Sequence, residues 1–148
     1  MSLISLIIEG ERMEKMSDKE MTALTPREIA ELAVKVLDSK RARDLKLLYV
    51  EKQTVLADYY VLATGNSNTQ IRALSGEVED KLAEAGVKVD HVEGHGNGVW
   101  VLMDYGSVAV HIFSREAREF YNLDKLWSDS EQIDITEIIK ENIPDSEN

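Results

Sequence analysis

The sequence has no cysteine among its 148 residues. Disulfide frameworks, cysteine-bound zinc, iron–sulfur clusters and thiol nucleophiles are thereby excluded, and a reducing compartment suits the chain. Long apolar runs are missing as well, since nothing approaches the roughly 20 residues that cross a bilayer. The apolar stretch at residues 3–8 is too short for a signal peptide, has no basic residue before it, and is ended at once by Glu9, Gly10, Glu11 and Arg12. No membrane partner is expected, and the cytoplasm is the expected location. Basic charge is scarce too: 17 lysines and arginines stand against 28 acids, for a net charge of −11. Gripping a nucleic-acid backbone takes clustered cations that displace counterions, so direct nucleic-acid reading is disfavoured. An acidic surface suits a basic protein partner, because opposite fields speed encounter and discourage wrong pairings.

What is present is a globular balance, 43% hydrophobic and 30% charged. A single domain of this size buries about 68–70% of its unfolded surface, enough for an ordinary core. The acids are unevenly spread. Residues 1–24 carry three basic and five acidic side chains, residues 25–127 thirteen and sixteen, and residues 128–148 one and seven. The chain therefore divides into a flexible N-terminal arm (1–24), a nearly charge-balanced α/β domain (25–127) and an acidic C-terminal extension (128–148).

Thr25-Pro26-Arg27-Glu28 is a capping box with proline in the first turn, where its missing N–H costs nothing. Ile29, Leu32, Ala33, Val36 and Leu37 follow at helical spacing, which predicts a helix over Pro26–Ser39. Residues 45–50 and 59–64 read as strands. Gly65-Asn66-Ser67-Asn68 then breaks the chain and caps a helix carrying Ile71, Leu74, Val78 and Leu82, which ends at Gly86. Three further strands are predicted at residues 87–92, 99–104 and 108–113, the last two forming a hairpin about Tyr105-Gly106. A short helix follows over residues 115–121, and a weak amphipathic one over residues 136–143, stopped by Pro144. A helix joining the second and third strands implies a parallel pair, and the hairpin implies antiparallel ones. The fold class is α/β, a mixed five-stranded sheet with packed helices.

The hairpin carries the most information. With a two-residue turn at its centre, Asp104 faces Ser107, Leu102 faces Ala109 and Trp100 faces His111; a three-residue loop changes the pairing but not the alternation within each strand. One face holds Val99, Val101, Met103, Val108, Val110 and Ile112, an aliphatic core surface. The other holds Trp100, Leu102, Asp104, Ser107, Ala109, His111 and Phe113. Two readings of this mixed face stay open. A helix covers it, with Trp100 and Phe113 as satellite core and His111 hydrogen-bonded; or it is open and docks a protein, with Trp100 as the apolar anchor and Asp104 as the charge.

Catalytic chemistry finds little support. Gly65-Asn66-Ser67 before a helix can cradle a phosphate, but nucleotidyl transfer also needs an Asp-x-Asp strand for magnesium, and none follows. His91, His95 and His111, with Asp90 and Glu93 nearby, form no compact metal motif. A Ser67, His111 and Asp104 set lacks a nucleophile elbow. No catalytic residue, metal or cofactor is expected.

Several separated motifs fall in order: Ala57-Asp58-Tyr59-Tyr60-Val61-Leu62-Ala63-Thr64-Gly65-Asn66-Ser67, Glu93-Gly94, Trp100-Val101-Leu102-Met103-Asp104-Tyr105-Gly106, Val110-His111, and Tyr121-Asn122-Leu123-Asp124-Lys125-Leu126-Trp127. Together they resemble the ribosomal silencing factor family, also called RsfS or Iojap, over about residues 25–127. The resemblance implies a nucleotidyltransferase-like fold that has lost catalysis. It also implies binding to the large ribosomal subunit at the ribosomal protein numbered fourteen, with the small subunit kept from joining and translation repressed. The implied docking residues are Trp100, Leu102, Asp104, Tyr105 and His111. Two other readings stand beside this one: a nucleotide-handling enzyme using the Gly65-Asn66-Ser67 turn, and a homodimer formed through the mixed face when no ribosome is bound.

Overall fold

A computed structural model of the chain describes residues 23–140. All of the N-terminal arm except its last two residues lies outside the described residues, as do residues 141–148. The first helix, α1, is Pro26–Ser39, and its capping box forms as the sequence predicts. The Thr25 side chain accepts the Glu28 N–H at 3.1 Å, and the Glu28 carboxylate accepts the Thr25 N–H at 2.9 Å. Strands β1 (Arg43–Tyr49) and β2 (Tyr59–Gly65) come next, then α2 (Asn68–Glu84), β3 (His91–Glu93), β4 (Trp100–Asp104) and β5 (Val108–Ser114). Two short helices, α3 (Arg115–Tyr121) and α4 (Leu123–Leu126), lead to β6 (Glu131–Ile133).

The strands form one mixed sheet in the order β3-β4-β5-β2-β1-β6. It has six strands where five were expected. The sixth arises inside the acidic stretch, where only Ile133 turns inward while Glu131 and Gln132 stay exposed. After it, residues 136–139 make a turn rather than the predicted amphipathic helix, the remainder of which lies outside the described residues. Ile135, Ile138 and Ile139 pack against the core there, and the Lys140 N–H is accepted by the buried Asp38 carboxylate. The crossover through α2 does produce a parallel pair, but between β2 and β5; β3, which directly follows the helix, goes to the far edge.

That edge strand is also shorter than the predicted run over residues 87–92. The Val87 N–H is held by the Leu82 carbonyl at 2.8 Å and the Gly86 N–H by the Ala83 carbonyl at 3.0 Å, with Gly86 left-handed at φ 89°. This is a Schellman cap, and it keeps the first residue of the run out of the ladder.

Alternation sorts the side chains of the sheet onto two cores. Val101, Met103, Val108, Val110 and Ile112 lie under α1 and α2, against Ala33, Leu37, Ile71, Leu74 and Leu82. Leu48, Val50, Tyr60, Leu62 and Phe113 lie on the other side, against Ala117, Leu123 and Trp127.

Candidate protein-docking site

The β4–β5 hairpin has the predicted faces but not the predicted register. Trp100 pairs with Phe113, Leu102 with His111 and Asp104 with Ala109, two residues along from the expected pairing. The turn centres on Gly106-Ser107, with Tyr105 donating its N–H to the Val108 carbonyl at 2.9 Å. Gly106 takes φ 85°, a value that favours glycine and so pins it to the first central position of a two-residue turn. Asp104 supports the turn by accepting the Gly106 N–H at 2.7 Å. Because the shift is by two, the β4 and β5 side chains stay on their expected faces; Val99, expected in the aliphatic core, lies before β4 and is 38% exposed.

On the mixed face, α3, α4 and Trp127 cover the β5 and β2 strands and touch β4 only at its Trp100 end, through Tyr121. His111 is 6% exposed and Phe113 fully buried, whereas Trp100, Leu102 and Asp104 remain half-buried. The covering reading therefore holds for β5, while the β4 side chains of this face stay partly open. The Trp100 indole Nε1–H donates to His111 Nδ1 at 3.1 Å. The accepting Nδ1 leaves the ring proton on Nε2, which is buried with no partner among the described residues. Burial pushes the imidazole down from its usual value to about 4, so it is neutral at physiological pH. Tyr60 stands edge-on to His111 at 5.0 Å, and Trp100 packs on Phe113 at 5.1 Å and on Tyr121 at 4.6 Å.

The five residues singled out from the sequence do not share one surface. Trp100, Leu102 and Asp104 lie at the open rim, and His111 lies behind Trp100 as its hydrogen-bond acceptor. Tyr105 continues the other alternation and sits in the aliphatic core, its hydroxyl buried and its pKa pushed up by burial and by Glu79. The candidate catalytic set is dispersed as well. Ser67 caps α2 by accepting the Gln70 N–H at 3.0 Å, the Asn66 N–H donates to the Gln70 side chain, and Asp104 faces His91 at 3.7 Å. Gly65 is required by packing, since a Cβ there would stand 2.7 Å from Ile71 Cγ1. Among the described residues no three His, Asp or Glu side chains are grouped to hold a metal ion.

Sequence reasoning missed the group that fastens the covering helices. Arg118, nearly buried, donates through Nε and Nη2 to Asp124 at 2.9 and 3.0 Å, and through Nη1 to Thr64 Oγ1 at 2.9 Å. Lys46 adds an ion pair to Asp124 at 2.9 Å. The bond to Arg118, together with the Lys46 contact, outweighs burial and holds the Asp124 carboxyl well below the usual carboxylate range. A spacing of six matches no helical pairing; it works because Asn122 is left-handed at φ 52° and folds α4 back on α3. Asparagine at a helix end is the one signal that pointed to such a bend.

Comparisons with known proteins bear on this arrangement. A family model described as "Ribosomal silencing factor during starvation" matches residues 23–148. The chain is 38% identical over 112 residues to a ribosomal silencing factor of Bacillus subtilis, an overlap of 76% of this chain and 95% of that protein. A solved structure, protein CV0518 from Chromobacterium violaceum, superposes with a TM-score of 0.69 at 39% identity, covering 71% of this chain and 88% of that one. A more distant mouse protein, named for mitochondrial assembly of the ribosomal large subunit, is 28% identical over 101 residues, 66% of this chain and 44% of its own length.

Proposed function

We propose how this chain acts from what it is: it belongs to the ribosomal silencing factor family. Membership makes it a ribosome-associated regulator of translation, in a family known for regulation rather than for an enzymatic reaction. Our reading is that it docks on the large ribosomal subunit, at the basic ribosomal protein numbered fourteen, and keeps the small subunit from joining. It does so as a cytoplasmic factor that transfers no nucleotide. The observation that carries the reading is the unfinished half of the mixed face. Trp100, Leu102 and Asp104 stay at an open rim although their pairing partners on β5 are sealed, and the rim combines an apolar anchor with a carboxylate. His111 serves from behind, fixing the indole; Tyr105 serves by bracing the turn from the opposite core. The same rim would serve the alternative reading, a homodimer of the free chain that docking on the ribosome displaces.

Sucrose-gradient co-sedimentation with separated subunits tests this. The wild type is expected with large subunits only, and added small subunits should fail to form whole ribosomes. Asp104→Lys should weaken binding far more than a charge reversal in the acidic stretch, such as Glu137→Lys, because only the first sits at the rim. Trp100→Ala should stay folded and lose about 30- to 1,000-fold in affinity, the 2–4 kcal/mol of an anchor residue. Equal losses from the two charge reversals would assign binding to bulk charge and sink the assignment of the rim. The nucleotide-handling alternative predicts instead micromolar triphosphate binding by calorimetry with magnesium, abolished by Ser67→Ala.

A further inference from the structure

One apolar surface is left over by that reading. α3 turns Ala117 inward, and its last turn leaves Phe120 and Tyr121 81% and 50% exposed. Aromatic rings gain much from burial, so two held in water side by side call for a partner. Phe120 stands edge-on to Tyr121 at 5.0 Å, and Tyr121 packs on Trp100 at 4.6 Å, which joins this ledge to the rim already described. The two rings form one wall of a shallow groove of about 520 Å³, lined on its other sides by Val99, Asn68, Ser114 and Glu116. Glu116 and Phe120 are four residues apart on α3 and therefore neighbours on its surface. None of the hydrogen bonds or ion pairs among the described residues occupies the Glu116 carboxylate.

We propose that this groove receives an arginine side chain of the partner that docks on the Trp100 rim, a proposal that rests on the docking reading. The guanidinium plane stacks on the exposed ring of Phe120, with Tyr121 edge-on beside it, while its N–H fork donates to Glu116. Three features select this occupant. A flat, weakly hydrated cation stacks on aromatic rings, whereas the compact ammonium of lysine holds its water more firmly. One carboxylate beside the rings matches the bidentate geometry of arginine. An aliphatic occupant would instead desolvate Glu116 without pairing it, and an acidic one would meet a chain of net charge −11.

Two measurements on the full chain test the groove. The first follows the backbone NMR resonances of the ¹⁵N-labelled protein during titration with blocked Gly-Arg-Gly and, separately, blocked Gly-Lys-Gly peptides. The arginine peptide should shift Val99, Ser114 and Phe120, and the lysine peptide should do so at least several-fold less at equal concentration. The second is co-sedimentation of Phe120→Ala and Glu116→Gln with large subunits, each expected to weaken binding about 10-fold without lowering the melting temperature. Equal shifts from both peptides overturn the proposal, as do variants that bind like wild type while Trp100→Ala does not; the latter result leaves rim docking standing. A wild type that fails to co-sediment removes the docking reading itself, and the peptide titration then decides on its own whether the groove is an arginine site. Shifts at these residues that grow with protein concentration alone identify a second copy as the occupant and overturn the arginine assignment.

Discussion

The two faces of the sheet are finished by helices of different length. On one side α1 and α2 are 14 and 17 residues long, which is roughly 21 and 25 Å at 1.5 Å per residue, enough to span the strands beneath them. Every strand residue they cover between Val101 and Ile112 is aliphatic and fully buried. On the other side α3 and α4 are seven and four residues, so their reach ends over β5 and β2 except where Tyr121 touches Trp100. The side chains follow suit: a tryptophan, a histidine and a carboxylate take the places that valine and methionine hold on the opposite face. Incomplete cover demands residues that tolerate both water and packing. The proposed docking uses this rim, which the fold itself leaves open.

The contrast can be broken most forcefully on the covered side. Ile112→Ala should lower stability by about 2–5 kcal/mol, because a fully buried side chain leaves a cavity among helices that cannot collapse around it. Denaturant melts measure the loss, while large-subunit binding per folded molecule should be unchanged. A binding defect at full folding would mean that the two faces are coupled.

The unfinished side is sharpened by acid. His111 is held neutral in the folded chain with a pKa near 4, against about 6.5 when unfolded. The unfolded state therefore binds more protons between those values, so stability is complete above pH 6.5 and falls as pH drops toward 4. The loss is on the order of 3 kcal/mol, and protonation also removes the Nδ1 lone pair that accepts the Trp100 indole. Asp124 acts in a separate window. Its folded pKa is depressed, so its contribution is present above about 3.8 and lost only below. Melts from pH 7 to 4 should therefore flatten in His111→Gln; an unchanged slope would place the acid sensitivity elsewhere.

The smallest effect belongs to the turn that the enzyme reading needs. Ser67→Ala removes the cap of α2 and should cost about 0.5–2 kcal/mol, with large-subunit binding nearly intact. Loss of binding without loss of stability would give this turn a functional role of its own.

Much of this was legible in the residues themselves. The Thr25 box and the caps at Ser67 and Gly86 are local hydrogen-bonding arrangements, and they form as read because neighbours along the chain suffice to make them. The two faces of the hairpin survived a register shift of two because alternation depends on the pleat alone. Three features escaped: the register, which Gly106 decides by needing a positive φ; the β6 strand, which has one inward isoleucine and whose three residues pair only because β1 offers a free edge; and the Arg118–Asp124–Lys46 lock, whose partners come from three different elements. The same limit applied to the proposed docking residues. Periodicity put Trp100, Leu102, Asp104 and His111 on one face, but it carries no information on where a covering helix stops. By itself the sequence determined the class of fold, the caps and which side of each strand meets which core, since these follow from short-range geometry and composition, and its ordered motifs carried the resemblance to the family. Only the tertiary structure decided that His111 and Tyr105 are buried while Trp100 and Phe120 meet water, because exposure depends on how far one element reaches across another.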